Sequence, residues 1–274
     1  MRRWLLIAVP YLWLLVFFLL RFFVVFKFSL SDIAPAIPPY TPTFDIAQDS
    51  LYVNAYFSAL KIAGISTFLT LLVAYPIAYG MARAPKEWQP TLVMLVILPF
   101  WTSFLIRVYA WIGILKKEGL LNLFLMNLGV ISEPLTIMNT PTAVYIGIVY
   151  SYLPFMILPL YASLEKINPA LLEAAADLGS PPWKSFWQVT FPLSIPGVLA
   201  GCFLVFIPAT GEFVIPDLLG GSDTLMIGKT LWFEFFANRD WPVSSAVAVV
   251  LLLVLVVPIV LFQRNQEKQR EAAR

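Results

Sequence analysis

The chain has 274 residues, of which 60% are hydrophobic and only 12% are charged, and its mean hydropathy is +0.82. Soluble domains carry about 25% charged residues, so this composition indicates an integral membrane protein. Histidine is absent and Cys202 is the only cysteine, which excludes a disulfide framework, a histidine or cysteine metal cluster and Ser-His or Cys-His catalysis. A formal net charge of +2 without a basic stripe argues against nucleic-acid binding.

Six segments are apolar and long enough to cross a bilayer, which takes about 20 helical residues. They are predicted at residues 4–26, 57–82, 92–115, 142–164, 193–215 and 243–262. Most contain an internal proline, so kinks supported by neighbouring helices are expected. Gly197 and Gly201 in the fifth span predict close helix packing. The sequence therefore predicts an all-α polytopic membrane protein with one transmembrane domain over residues 1–274.

The distribution of Lys and Arg between the loops predicts the orientation. With the N-terminus inside, and with Lys27 assigned to the outer edge of the first span, ten basic residues fall in the inner segments and four in the outer loops. This agrees with the basic character of cytoplasmic loops. The inner set is Arg2, Arg3, Arg83, Lys86, Lys166, Lys184, Arg264, Lys268, Arg270 and Arg274, and the outer set is Lys116, Lys117, Lys229 and Arg239. Both termini are therefore expected in the cytoplasm.

Acidic residues follow the opposite distribution. The predicted outer loops hold nine of them, so four basic minus nine acidic residues leave a net charge of −5: Asp32, Asp45, Asp49, Glu118, Glu133, Asp217, Asp223, Glu234 and Asp240. An acidic outer face attracts cations. The alternative is that acidic residues translocate easily, in which case their distribution carries no information about a substrate.

Two features of the first span need separate interpretation. Arg2 and Arg3 precede an apolar run, as in a secretory signal, but the run exceeds the roughly 7–15 residues of a signal-peptide core. It is therefore expected to remain as a transmembrane helix. Arg21 lies near the predicted outer end of this span, where its side chain is expected to reach the lipid headgroups.

The predicted inner loop at about residues 165–192 carries the most specific pattern in the chain. Asn168 is a favourable helix N-cap, Pro169 suits the first helical position, and Gly179 suits the left-handed residue that follows a helix. A second short helix is predicted at residues 183–189, after two prolines force a turn. The first helix has an apolar stripe at positions i, i+3, i+4 and i+7, which consists of Leu171, Ala174, Ala175 and Leu178.

This loop resembles the signature of bacterial ABC importer permeases, in which Glu-Ala-Ala, three residues, Gly and nine further residues precede Ile-x-Leu-Pro. Val189 and Phe191 replace the isoleucine and leucine and keep their apolar character. The resemblance implies a type I permease fold with a cytoplasmic coupling helix that docks into a cleft of an ATPase subunit. The alternative is an amphipathic helix lying on lipid. The implied coupling residues are Glu173, Ala174, Ala175, Asp177, Leu178, Gly179 and Pro192.

Other segments resemble the polyamine permeases of that family, especially the putrescine type: residues 37–40, 98–111, 211–221 and 235–242. The resemblance covers nearly the whole chain. It implies a bacterial inner-membrane subunit that assembles with a second homologous permease, two ATPase subunits and a periplasmic polyamine-binding protein. It also implies no cofactor, metal or catalytic residue in this chain, because ATP and Mg bind the ATPase. Arg21 stands where the family pattern has proline.

The substrate path can be considered from the residues themselves. A diamine carries ammonium groups on an apolar stem, so its path should offer carboxylates and aromatic faces. Glu212 is the only acidic residue in a predicted span and lies on one helical stripe with Pro208. It either contacts substrate or forms an ion pair with Arg107 of the third span. The candidate path comprises Glu212, Trp101, Phe104, Trp111 and Asp217, although aromatic stripes also serve packing.

The leading hypothesis is therefore a non-catalytic permease subunit of an ATP-driven polyamine importer, with putrescine as the expected substrate. A proton-coupled carrier that uses Glu212 as its proton site is one alternative, and an ABC permease for another small cationic solute is a second. A membrane enzyme would cluster polar groups at one depth, whereas the predicted spans hold little besides Glu212 and Arg107. A scaffold would not need the Glu-Ala-Ala loop.

Overall fold

The computed structural model describes residues 2–31, 50–222 and 224–272, and the described chain is helical without a β-strand. The predicted all-α class is confirmed. The motif at residues 37–40 and the acidic residues Asp32, Asp45, Asp49 and Asp223 lie outside the described residues. The helices are α1 (Arg2–Ser29), α2 (Ser50–Arg83), α3 (Gln89–Ile97), α4 (Phe104–Leu115), α5 (Leu120–Asn127), α6 (Pro141–Leu164), α7 (Ala170–Asp177), α8 (Pro182–Ser185), α9 (Phe191–Thr210), α10 (Val214–Leu219), α11 (Ile227–Trp232) and α12 (Trp241–Ala272).

Four helical segments are individually long and apolar enough to cross a membrane, and they coincide with the first, second, fourth and fifth predicted spans. These segments are Ile7–Ser29, Ser50–Arg83, Pro141–Leu164 and Pro182–Thr210. A bent pair of helices occupies the third predicted span, and α12 contributes the shorter apolar segment Trp241–Val257 at the sixth. Each predicted span thus coincides with helix, but the third is bent and is not a single long helix.

The third predicted span, residues 92–115, was wrong as one continuous helix. A 3-10 turn at Leu98–Trp101 follows α3, and the segments Gln89–Trp101 and Phe104–Asn127 are bent by 87°. Thr102 and Ser103 connect them with extended ψ angles of 149° and 137°. Because Pro99 in the turn also lacks a backbone N–H, the helical hydrogen-bond ladder stops here and the chain changes direction.

The fifth predicted span, residues 193–215, was wrong at its end. α9 stops at Thr210 and α10 begins at Val214, so Glu212 lies in the break between two helices. It therefore does not continue the helical stripe that contains Pro208. Pro208 has no backbone N–H to donate within the last turns of α9. The Glu212 carboxylate accepts hydrogen bonds from the first N–H groups of α10.

Helices α6 and α9 pack closely because of two glycines. A Cβ atom added at Gly197 would lie 2.5 Å from the Cβ of Ser163, and one at Gly201 would lie 2.6 Å from the Sδ of Met156. Neither position has room for a side chain, so the predicted close packing is confirmed. The adjoining buried apolar cluster joins these helices to α2 and consists of Ala74, Ala78, Met81, Met156, Ile157, Leu160, Leu164, Ile167, Val198 and Val205.

Contacts divide the chain into two compact units, Met1–Tyr56 with Thr230–Arg274, and Phe57–Lys229. In the first unit α1 packs on α12, and the hydroxyl of Tyr56 donates to the carbonyl of Val247 at 2.6 Å. Arg21 faces an apolar groove between these helices. The second unit holds the predicted coupling loop and candidate substrate path, so it is the relevant unit for the site. The single domain over residues 1–274 stays a prediction.

Candidate functional site

The predicted loop helix, α7, begins as its sequence indicates. The side-chain oxygen of Asn168 accepts a hydrogen bond from the backbone N–H of Ala170 at 3.0 Å. Pro169 has helical dihedral angles of φ −54° and ψ −32°. Asn168 therefore satisfies a donor of the first turn that has no partner within the helix, which confirms it as the N-cap.

The end of α7 is a Schellman motif centred on Gly179. This glycine has a φ of +76°, and its N–H donates to the carbonyl of Ala176 at 2.8 Å. The N–H of Ser180 donates to the carbonyl of Ala175 at 3.0 Å. These two bonds satisfy carbonyls at the helix end and require a left-handed residue, which glycine adopts without strain. The predicted left-handed conformation of Gly179 at the end of the helix is confirmed.

The surface of α7 is exposed along its apolar stripe. None of its residues is buried, and Leu178 just beyond it is 88% exposed. Glu173 and Asp177 are also exposed, as is Ala174, while Ala175 is half-buried. Exposed apolar residues that form a contiguous stripe with acidic neighbours are typical of a protein-binding surface. The helix is thus formed and accessible in this chain by itself.

The predicted second short helix, residues 183–189, is not a separate element. α8 continues through a π-helical turn at Phe186–Thr190 into α9, in which the N–H of Phe191 donates to the carbonyl of Phe186. Pro192 lies one residue further on, where its ring and missing N–H disfavour regular α-helical bonding. The wider π turn accommodates this proline, so the helical segment runs unbroken from Pro182 to Thr210.

An aromatic cluster joins this continuous segment to α2. The ring of Phe186 lies 5.5 Å from that of Tyr75 and 5.3 Å from that of Trp187, measured between centroids. Trp183 in turn stacks on Phe186 at 6.5 Å and remains 72% exposed. Such edge-on and stacked pairs stabilise a fixed arrangement. Sequence reasoning missed Tyr75, although the aromatic spacing along residues 183–191 indicated a packed face.

A cavity of about 770 Å³ lies in the same unit. Its walls come from the 3-10 turn and the start of α4, from the middle of α6, and from the break between α9 and α10. The lining residues are Phe100, Thr102, Ser103, Phe104, Arg107, Ser151, Tyr152, Phe155, Pro208, Gly211, Glu212, Phe213 and Val214. The two interruptions of the predicted spans thus form two of its walls, and the cavity holds one acidic and one basic side chain.

Glu212 is 7% exposed and is held by hydrogen bonds from two directions. Its Oε1 accepts the backbone N–H groups of Phe213, Val214 and Ile215 at 3.1, 3.0 and 3.5 Å. Its Oε2 accepts the hydroxyl of Tyr152 on α6 at 2.5 Å. The carboxylate therefore caps α10 and ties it to α6, while its negative charge has no cationic partner in the described chain.

Arg107 also lines this cavity and is 8% exposed. Its charge is opposite to that of Glu212. Its guanidinium carbon is 5.1 Å from the ring centroid of Phe100 and 5.9 Å from that of Phe104. Its Nε is buried without a hydrogen-bond partner among the described residues. The ion pair with Glu212, an alternative raised by the sequence, is not formed; aromatic rings hold the guanidinium instead.

The structure brings together only part of the candidate substrate path. Glu212 and Phe104 line the cavity, whereas Trp101, Trp111 and Asp217 do not. Trp101 is 77% exposed, and Trp111 packs edge-on against Tyr150 with centroids 5.3 Å apart. The carboxylate of Asp217 lies 3.0 Å from the ammonium group of Lys229. Among the lining residues that sequence reasoning did not single out, Ser151, Tyr152 and Phe155 lie outside every recognised motif, whereas Phe100 lies within the motif at residues 98–111.

Comparisons with known proteins agree on the type of chain. The profile of the family described as "Binding-protein-dependent transport system inner membrane component" matches residues 74–270. The chain is 39% identical over 262 residues to the spermidine/putrescine transport system permease protein PotB of Haemophilus influenzae, covering 94% of this chain and 92% of that protein. It is 44% identical over 216 residues to PotB of Escherichia coli K12, covering 79% and 78%.

Solved structures show the same fold at lower sequence identity. A bacterial ABC transporter involved in the import of the acidic polysaccharide alginate has a subunit that superimposes with a TM-score of 0.72 and 20% identity, covering 98% of this chain and 96% of that one. The MetNI methionine ABC transporter gives a TM-score of 0.58 and 16% identity, covering 85% and 99%. The predicted ABC importer permease fold is confirmed.

Proposed function

Because the chain belongs to the family of binding-protein-dependent transport system inner membrane components, we propose that it forms part of the path by which an ATP-driven importer moves linear polyamines. The observation that carries the proposal is the buried Glu212 carboxylate, which lacks a cationic partner among the described residues and lines a cavity with aromatic rings. Carboxylates and aromatic faces are the groups that bind alkylammonium ions. The identity to two proteins named for spermidine and putrescine transport supports the same substrate class.

The proposed assembly contains a second homologous permease, two ATPase subunits that bind ATP and Mg, and a periplasmic polyamine-binding protein. The exposed stripe of α7 supports an ATPase contact, since its caps are formed while Leu178 remains uncovered in the chain alone. The coupling residues Glu173, Ala174, Ala175, Asp177, Leu178 and Gly179 belong to this surface. Pro192 acts at a distance from it, by shaping the helical segment that supports the loop.

Uptake by the assembled transporter tests this proposal. Vesicles that contain the complete complex and an internal ATP supply should accumulate radiolabelled putrescine, and accumulation should stop without ATP. Unlabelled spermidine should compete. We propose putrescine as the preferred substrate, and a lower KM for spermidine than for putrescine would contradict that preference. Uptake driven by a proton gradient without ATP would instead support the secondary carrier. Uptake of a different cation with no response to either polyamine would support the other ABC permease alternative.

The proposed orientation, with both termini in the cytoplasm, predicts which loops react from outside. In a Cys202→Ser background, a cysteine at Ser222 should react with an impermeant thiol reagent in intact cells, whereas one at Ser180 should react only after permeabilisation. The reason is that the ten-to-four distribution of basic residues places the loop with Ser180 inside. Labelling of a cysteine at Ser180 in intact cells would contradict the proposed orientation.

A further inference from the structure

Arg107 is a charged group to which the proposed function assigns no role. A fixed cation in a cavity that receives a cationic substrate raises the energy of that substrate. Burial makes the effect stronger, because solvent screens a charge that is 92% buried much less than one at the surface. The position of Arg107 on α4 is also well defined, since Phe100 and Phe104 both lie within 6 Å of its guanidinium carbon.

Glu212 leaves room for a substrate ammonium group in spite of its existing bonds. Three backbone N–H groups occupy its Oε1, but among the described residues Oε2 accepts only the Tyr152 hydroxyl. A carboxylate oxygen accepts about two hydrogen bonds, so Oε2 retains capacity for one more donor. Without an opposing charge, a buried carboxylate beside aromatic rings would hold an ammonium ion tightly. A transport path needs a contact that is favourable enough for entry and weak enough for release.

We propose that Arg107 weakens the binding of a substrate ammonium group at Glu212, and so allows the cavity to release a polyamine after admitting it. This inference rests on the proposed function. Arg107 and Glu212 bring the formal charge of the described cavity lining to zero, since none of its other residues is Asp, Glu, Lys or Arg. The guanidinium lies over two aromatic rings and forms no ion pair with the Glu212 carboxylate. Both charges therefore act on a substrate that enters the cavity they line.

The test is the kinetics of polyamine uptake by the assembled transporter that carries Arg107→Gln. We expect KM to fall by about tenfold, the order of magnitude for removal of one like charge from a poorly screened cavity at an effective dielectric constant of about 20. Maximal uptake should also fall, because release becomes slow. The decrease in KM should be larger for spermidine than for putrescine, since spermidine carries one more ammonium group. Arg107→Lys keeps the charge and should retain a KM near that of the unmodified protein.

A second variant tests the same effect without altering Arg107. Ser103 lines the cavity and makes no capping hydrogen bond to α4, so Ser103→Lys adds a cation at low structural cost. It should raise KM, whereas the uncharged control Ser103→Gln should not. An unchanged or higher KM for Arg107→Gln in assembled complexes, or an unchanged KM for Ser103→Lys, would overturn the role of Arg107. Absence of polyamine uptake by the unmodified transporter would overturn the proposed function itself.

Discussion

Replacement of Gly179 by valine is expected to uncouple ATP hydrolysis from transport. The residue has a φ of +76°, and no atom lies within 4 Å of the position that a Cβ would occupy. A substitution at this position therefore acts through the backbone. The left-handed conformation costs an L-residue about 1–2 kcal/mol, and a β-branched residue such as valine more. Loss of the two Schellman bonds would shift Leu178 and Ser180. Uptake should fall at least about tenfold, the factor that such a penalty implies, while ATP hydrolysis and membrane insertion persist.

Gly129 provides a matched control for this variant. It has a φ of +70° with open space around the Cβ position, and the N–H of Val130 donates to the carbonyl of Leu125 in the same type of motif after α5. Gly129→Val thus imposes the same backbone penalty outside the coupling loop and should retain uptake. Gly179→Asn should recover part of the lost uptake, because asparagine tolerates left-handed dihedrals. Normal uptake by Gly179→Val would refute the coupling role.

Helix α7 was predictable because its determinants are local. Asn168, Pro169 and Gly179 lie within one short segment, and each acts on the backbone of near neighbours. Capping and left-handed termination depend on residue type at a fixed offset. The continuation of α8 into α9 was not predictable in this way. A proline normally marks the end or a kink of a helix, and the π turn before Pro192 is a property of how that segment packs.

The cavity was only partly predictable because apolar composition conceals breaks in a span. Residues 92–115 remain hydrophobic on average in spite of Thr102, Ser103 and Arg107, so the extended dihedrals of Thr102 and Ser103 leave no clear signature in hydropathy. Glu212 was identified as the acidic residue of the spans, but its neighbours were not. Tyr152 is 60 residues away along the chain, and the close packing of α6 on α9 brings it to the carboxylate. Opposite charge alone suggested Arg107 as a partner, yet local N–H donors bind Glu212 instead.

Replacement of Glu212 by glutamine is expected to lower polyamine uptake about a hundredfold, since loss of a buried charge contact typically costs about 2–5 kcal/mol. Glutamine keeps an amide oxygen that accepts the N–H groups of Val214 and its neighbours, so α10 should remain capped. Assembly of the complex and basal ATP hydrolysis should therefore stay near normal. Uptake rates, subunit stoichiometry and ATPase activity of the purified complex measure these three effects separately.

Two variants separate the charge of Glu212 from its hydrogen bonds. Tyr152→Phe removes the donor to Oε2 but leaves the carboxylate charged, so uptake should fall only about tenfold or less, as one lost hydrogen bond to a charged group implies. Glu212→Ala removes the cap as well as the charge. It should destabilise the start of α10 by about 1 kcal/mol and reduce assembly in addition to uptake.

The double variant Glu212→Gln with Arg107→Gln distinguishes the remaining explanations. If an ion pair between these residues were required, Glu212→Gln alone would leave a buried unpaired guanidinium and assemble poorly, and the second change would restore assembly. The guanidinium already lies over Phe100 and Phe104 without that pair. The two single variants and the double variant should therefore all assemble.

If Glu212 were a proton site, uptake by the unmodified protein would follow the proton gradient and persist without ATP. Unchanged uptake by a fully assembled Glu212→Gln transporter would remove this carboxylate from the substrate path and leave it as the cap of α10.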